Sequence, residues 1–588
     1  MKQKTTNIFK KILKPPETIV TLASLAISVL TQYPAITNKY IVNDDTNQHI
    51  WWMQQYLDNT LFKNDLLALY AKQLQPWGLQ ILYKTTSTII NPLILSKIIP
   101  IFLIIISSLF LFKLIKFITN SNTAGYIGFL LFATNINFIQ AHSGGHARTF
   151  AYPLLILFLY FLIKKESKKS YILLLLQSLF YPITFLISAA TSILNLFRIK
   201  QKRIKIIESP KKLLLLLLCL IFGLCILISH QKLTYNQKIG HLINKKEMIK
   251  NPAFYKHGRT EKLPTPSLIK EIDINLKSAI INKHNIEHHT KTLKSLKVQL
   301  PSSFINIFGS CIFLILLALL LTSKIKNKKH LPLELIYLFI SSILLYEIAS
   351  VVQPKILWPN RYVCYSLPIL GIIIISSALT SQIQKNQKKS KIYLYATSII
   401  IFISINLITI LKINISNKPY KLIPDQFHKD LNIGLTDYSH NKDLFQFLRT
   451  LPKDAIIASH PTLSDAIPLF TQKRVFINHE LSQPFYEKYW ETIQKRTLAL
   501  FKAYYSNNPD YIYDFCQKNN IDYLVIHEET LSKKYIHSRK IYFEPFNQQI
   551  ESFIHNNYQP ALMNIKQQNK VYEKNNIFVI HKNALQKK

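Results

Sequence analysis

Acidic side chains are scarce at the front of this chain. Between Met1 and His230 there are only Glu17, Asp44, Asp45, Asp58, Asp65, Glu166 and Glu208. Over all 588 residues, 72 Lys and Arg stand against 31 Asp and Glu, a formal charge of +41. Such an excess marks a nucleic-acid binder when it gathers on one face. Here the basic residues alternate with apolar runs, which excludes nucleic acid as the partner. Cysteine is also rare: of five, only Cys516 lies beyond the apolar runs, so the C-terminal part has no internal disulfide. No glycine-rich phosphate loop follows a strand-like stretch, which leaves nucleotide binding unsupported. No small-residue cleavage site follows the first apolar run, which is long for a signal peptide and reads as a retained anchor.

What is abundant is hydrocarbon. A bilayer core about 30 Å thick asks for roughly 20 apolar residues per helix. Residues 18–37, 93–116, 123–140, 149–163, 211–229, 303–323, 333–352, 363–381 and 392–411 are candidate spans. Segment 170–197 is too short for two straight crossings, yet the flanking basic segments 164–169 and 198–212 require an even number. Proline bends a helix by removing a donor, so Tyr181–Pro182 predicts a hairpin of two short, partly buried helices. The total is about eleven spans. Short loops rich in Lys and Arg stay cytoplasmic, and 2–14, 164–169, 198–212, 324–329 and 385–391 are of that kind. Loops 38–92, 141–148, 231–302 and 351–362, and the chain beyond about residue 412, then lie outside. Loop 231–302 is basic, but its 72 residues exceed the length to which the charge rule applies. Its His284, His288 and His289 match no standard ligand spacing and read as a solvated helix.

From Tyr438 the pattern changes. Helices over 443–450, 464–470 and 484–506 alternate with strands over 455–459, 474–478, 521–527 and 577–581. That predicts a small, mostly parallel sheet covered by helices. The expected fold is a polytopic α-helical membrane domain, 1–411, followed by a soluble α/β domain, 412–588.

Four of the seven front acids fall between Asp44 and Asp65, in the loop after the first span. The pair Asp44–Asp45 can hold a divalent cation such as Mg or Mn, or remove a proton from a hydroxyl. It can equally cap a short helix. Ile50, Met53, Leu57 and Leu61 recur at helical spacing, predicting an amphipathic helix over Asp45–Asn59 on the membrane surface. Trp51 and Trp52 then sit in the headgroup layer or against substrate, and Asp65 can return to the same site. The second outer loop adds His142, His146 and Arg148 beside two glycines, an anion-attracting group. Arg148 can clamp a phosphate bidentately or snorkel to the interface. Arg361, in WPNRY, is a further cation on that side.

A basic N-terminus, one span, then an acidic pair opening a long outer loop: this arrangement resembles the GT-C superfamily of membrane glycosyltransferases over most of the chain. Protein-mannosyltransferase-like and aminoarabinose-transferase-like enzymes belong to it. The resemblance implies a polyprenyl-phosphate-linked sugar donor, an exoplasmic C-terminal domain and a functional acid at Asp44 or Asp45. It also implies that Arg148 and Arg361 lie near the lipid phosphate. Loop 141–148 lacks the second acidic motif of oligosaccharyltransferase-type members, which implies a single-sugar transferase with little or no metal dependence. Polyprenyl phosphate is already a good leaving group, so cations for the phosphate and one carboxylate for the acceptor's proton suffice. The expected activity is inverting transfer of a sugar to a lipid, glycan or protein acceptor at the outer face of the cytoplasmic membrane. Two other classes compete. A lipid or glycan flippase calls for paired broken helices around midplane polar sites, and no partner to the Tyr181–Pro182 break is found. A non-catalytic envelope-assembly protein would make the acidic loop dispensable.

Overall fold

The computed structural model describes residues 15–200, 203–206, 209–280, 331–385, 429–431, 433–536, 541–554 and 559–586. Its membrane part is built from α1 (Pro15–Thr37), α2 (Pro92–Thr119), α3 (Asn122–Ala133), α4 (Ile136–His142) and α5 (Ala151–Ile163). It continues with α6 (Ser167–Phe180), α7 (Pro182–Asn195), α8 (Pro210–Leu233), α9 (Leu333–Val352) and α10 (Ser366–Lys385). Among the described residues, five helices are long and apolar enough to cross a membrane, or six if the bent pair α3–α4 is one span. The expected eleven are therefore not reached there. Candidate spans 303–323 and 392–411, and His284, His288 and His289, lie outside the described residues.

Local sequence sets the breaks. Asn91 accepts from Leu93 N at 2.8 Å, and Pro92 takes a first-turn position that needs no N–H, so α2 starts there. Asn135 accepts from Asn137 N at 2.9 Å and donates to Ser278 O at 3.0 Å, fixing the 68° bend between α3 and α4. Tyr181 is extended ahead of Pro182, as the residue before a proline prefers. The α6–α7 turn, at Ser178 and Tyr181, opens on a large cavity, while Ser167, Ser170, Ser192 and Asn195 at the far ends line one small recess. Segment 170–197 is thus a hairpin of two short helices.

The tail sheet comprises β1 (Ile456–Ser459), β2 (Arg474–Val475), β3 (Tyr523–His527), β4 (Lys570–Lys574) and β5 (Ile577–His581), in the order β2-β1-β3-β5-β4. Only the β2-β1-β3 half is parallel; β5 runs antiparallel to β3 and β4. The expectation of a mostly parallel sheet fails at β5, which runs antiparallel to β3 and joins β4 through the Asn575–Asn576 turn. Both residues have positive φ (52° and 60°), the conformation that closes a two-residue hairpin.

The first loop, 38–92, does not form one amphipathic helix. It forms a short helix, Thr46–His49, then a 3₁₀ turn, Trp51–Tyr56, and helices Leu66–Gln73 and Trp77–Thr86. Trp51 and Trp52 are each 1% exposed, in one apolar core with Phe445, Phe470 and Tyr489 of the tail. Gln54 donates to Leu469 O, Asn47 donates to Tyr438 Oη, and Tyr70 stacks on Tyr489 at 3.9 Å. Burying a large aromatic side chain outweighs what the headgroup layer offers it. Loop and tail therefore form one body above the helix ends.

Candidate active site

A cavity of about 960 Å³ opens where that body meets the helix ends. The first loop lines it with Asp45, His49 and Trp77, and the second loop with His146 and Arg148. Tyr181 and Pro182 come from the α6–α7 turn, Ile226, Leu227 and His230 from α8, and Lys355 and Arg361 from the segment after α9. Arg259 and Lys262 of the long loop and Glu480 of the tail complete the wall. A volume of this size suits a small-molecule substrate.

Asp45 is delivered by an Asx turn. Asn43 Oδ1 accepts from Asp45 N at 3.0 Å, and Asn43 O accepts from Thr46 N at 3.0 Å. Asp45 stands at the helix start but makes no side-chain cap bond. Its carboxylate instead accepts from Arg148 Nη2 and lies 3.1 Å from His146 Nε2. The second loop reaches it by way of Gly144 and Gly145, whose φ angles are +94° and +62°. A Cβ on Gly144 would stand 2.7 Å from the Asn43 side chain. The two loops are then pinned together: Asn43 Nδ2 and Ser143 Oγ both donate to Gly434 O, at 2.7 and 2.8 Å, and Tyr83 Oη donates to Gly145 O at 3.0 Å.

The electrostatics separate the two aspartates. Burial pushes the Asp45 carboxyl up, but the Arg148 guanidinium and the His146 ring outweigh it and hold it well below the usual carboxylate range. Asp44 does not line the cavity. Its side chain is exposed, and its Oδ1 accepts from Asp45 N at 3.0 Å. The protein around it, with Asp45 and Glu480 nearby, pushes its carboxyl up to about 7. Burial holds His49 down to about 3 and also lowers His146, so both imidazoles are neutral at pH 7. Gln75 ties His49 to His230: its Nε2 stands 2.7 Å from His49 Nδ1, and its carbonyl oxygen 2.7 Å from His230 Nε2.

Arg361 Nη1 donates to Tyr365 Oη at 3.3 Å, and among the described residues no carboxylate pairs with it. A guanidinium on a cavity wall without a carboxylate partner is a ready anion site. Of the residues singled out in the sequence, Asp45, His146, Arg148 and Arg361 converge here. Asp65 does not; it caps helix Leu66–Gln73 by accepting from Ala68 N at 2.9 Å. His142 is buried between Phe138 O and Ser107 Oγ, away from the cavity lining. Trp51 and Trp52 do not line the cavity either. Sequence reading missed Glu480, Arg259 and His49. The last had a signal, since it lies four residues after Asp45 on the same helical turn.

The donor set does not suit Mg or Mn. The Asp45 carboxylate is taken by a guanidinium and an imidazole, Asp44 lies off the cavity, and among the described residues no three His, Cys, Asp or Glu side chains converge as ligands.

No family model matches this chain, and no curated protein matches it. Solved structures of the Archaeoglobus fulgidus oligosaccharyltransferase are similar to it. The complex with Zn and sulfate shares 13% identity at a TM-score of 0.43, covering 91% of this chain and 71% of that chain. The complex with an inhibitory peptide and a dolichol-phosphate shares 11% at 0.41, covering 94% and 75%. Likeness at this distance assigns no chemistry, which rests on the cavity alone.

Proposed function

We propose that this protein is a GT-C-type membrane glycosyltransferase that moves a sugar from a polyprenyl-phosphate-linked donor to an acceptor at the exoplasmic face. The observation that carries this reading is the meeting of Asp45, Arg148 and Arg361, distant along the chain, in one cavity with an apolar floor at the helix ends. Trp77, Pro182, Ile226 and Leu227 offer that floor to a prenyl chain. Arg361 and Arg148 take the phosphate. The short basic segment 164–169 lies at the opposite end of the same helices, which supports an exoplasmic cavity.

The chemistry is a single displacement. The acceptor's nucleophile bonds to the anomeric carbon as the bond from that carbon to the phosphate oxygen breaks, inverting the centre. The electron pair leaves on the phosphate, whose added negative charge the two guanidiniums stabilise. The acceptor's proton passes to the Asp45 carboxylate. While Arg148 grips it, Asp45 is a weak base. A phosphate that draws Arg148 to itself loosens that grip, so the base strengthens only when donor is bound. No step requires a divalent cation.

The test uses full-length protein in proteoliposomes with radiolabelled polyprenyl-phosphate sugar. Arg361→Ala is expected to slow label release about a hundred- to thousand-fold, the usual cost of one lost charge-stabilising group. Release at the wild-type rate by a folded Arg361→Ala protein would sink the assignment.

A further inference from the structure

The cavity holds a second carboxylate to which the mechanism above gives no task. Glu480 lies on the turn between β2 and the tail helix Glu487–Tyr504, and that turn is rigidly held. Glu480 N donates to Asp465 Oδ1 at 2.8 Å. Arg259, reaching in from the long loop, donates to His479 O at 3.0 Å and Glu480 O at 3.2 Å, and stands 3.3 Å from Glu480 Oε2. Arg259 is itself largely buried, 14% exposed, so it serves as a strap. Beside Glu480 on the same wall are Gln483, Phe485 and Tyr486, with Trp358 at 5.5 Å from the Phe485 ring.

We infer that Glu480 and this aromatic wall form the acceptor subsite, and that the acceptor is a sugar residue of a glycan. A fixed carboxylate accepts hydrogen bonds from ring hydroxyls, and charge-assisted bonds of this kind are the strong ones. Aromatic side chains offer an apolar face to the C–H side of a sugar ring. The carboxylate also repels phosphate, which keeps the donor headgroup on the Arg148–Arg361 side. An extended peptide would instead be held by pairing with a free backbone edge. The edge here is taken: Ile243 N donates to Phe485 O at 3.0 Å, and Glu487 N donates to His241 O at 3.1 Å.

This inference rests on the sugar-transfer reading, and the experiment separates the two. Membranes from cells lacking the gene supply unmodified acceptor. They are treated either with periodate, which cleaves sugar diols, or with protease, before purified full-length protein and radiolabelled donor are added. Periodate is expected to abolish labelling and protease to leave it intact; the reverse would overturn the inference. In parallel, Glu480→Gln is expected to raise the KM for membrane acceptor at least tenfold while keeping the Tm rise that polyprenyl phosphate gives the wild type. Glu480→Asp, which keeps the charge for Arg259, is expected to recover part of that loss. An unchanged acceptor KM in a folded Glu480→Gln protein overturns the subsite. A wild type that neither transfers label nor gains Tm with donor overturns the transferase reading itself.

Discussion

Asp45 and Asp65 both open a short helix in the same loop, and only one of them caps it. Asp65 satisfies Ala68 N of its own helix. Around Asp45 the amides that a cap would satisfy, Asn47 N and Gln48 N, donate to the backbone oxygens of Asp44 and Asp45, while Asn43 holds the Asp45 amide, so the carboxylate is left to Arg148 and His146. The difference lies two residues upstream of Asp45 and in a second loop whose glycines let it fold back. A capping aspartate stabilises its helix; an aspartate relieved of capping is available for chemistry.

The comparison breaks hardest at Asp45. Asp45→Asn is expected to slow transfer about a hundred- to ten-thousand-fold, the usual contribution of a placed base, and to lower Tm as well, because the Arg148 pairing that depresses its carboxyl also stabilises the fold. Transfer assayed in proteoliposomes at matched protein levels checks this. Gly144→Ala is next: a side chain at φ +94° costs about 1–2 kcal/mol, and its Cβ would stand 2.7 Å from Asn43. It should lower both Tm and transfer, because the Asn43 turn that aims Asp45 is displaced. Asp65→Ala should cost about 1 kcal/mol of stability, as lost N-caps do, with transfer per folded molecule unchanged. Denaturant unfolding beside the same assay separates those outcomes.

The smallest effect concerns Asp44. Its carboxyl titrates higher in the folded chain than in the unfolded one, at about 7. The folded state therefore holds the proton more tightly, and stability from this group is present at low pH and lost as pH rises through 7. Asp44→Asn should match wild-type Tm near pH 4 and exceed it at pH 8. A Tm difference that is flat across that range would contradict the assignment.

Much of this was legible in the sequence. Acids are so few before His230 that Asp44–Asp45 stands out, and Arg148 and Arg361 fall in loops on the same side of the apolar runs. Which aspartate faces the cavity was not legible, because it depends on Asn43 and Gly434, some 390 residues apart, meeting through a 2.7 Å bond. Glu480 was hidden for the opposite reason: acids are common in the tail, and nothing local marks the one that Arg259 draws into the cavity. Trp51 and Trp52 read as interfacial because their burial is supplied by the tail. The antiparallel end of the tail sheet, by contrast, had a visible signal in Asn575–Asn576, a hairpin turn between two strand-like stretches.

The most direct test of the central claim is photo-crosslinking of the full-length protein in lipid vesicles with a polyprenyl phosphate bearing a photoreactive group on its first isoprene unit. The account predicts labelled peptides containing Trp77, Pro182 and Ile226–Leu227, and competition by excess unmodified polyprenyl phosphate that Arg361→Ala weakens. Labelling confined to other helices, or competition indifferent to Arg361, would contradict it.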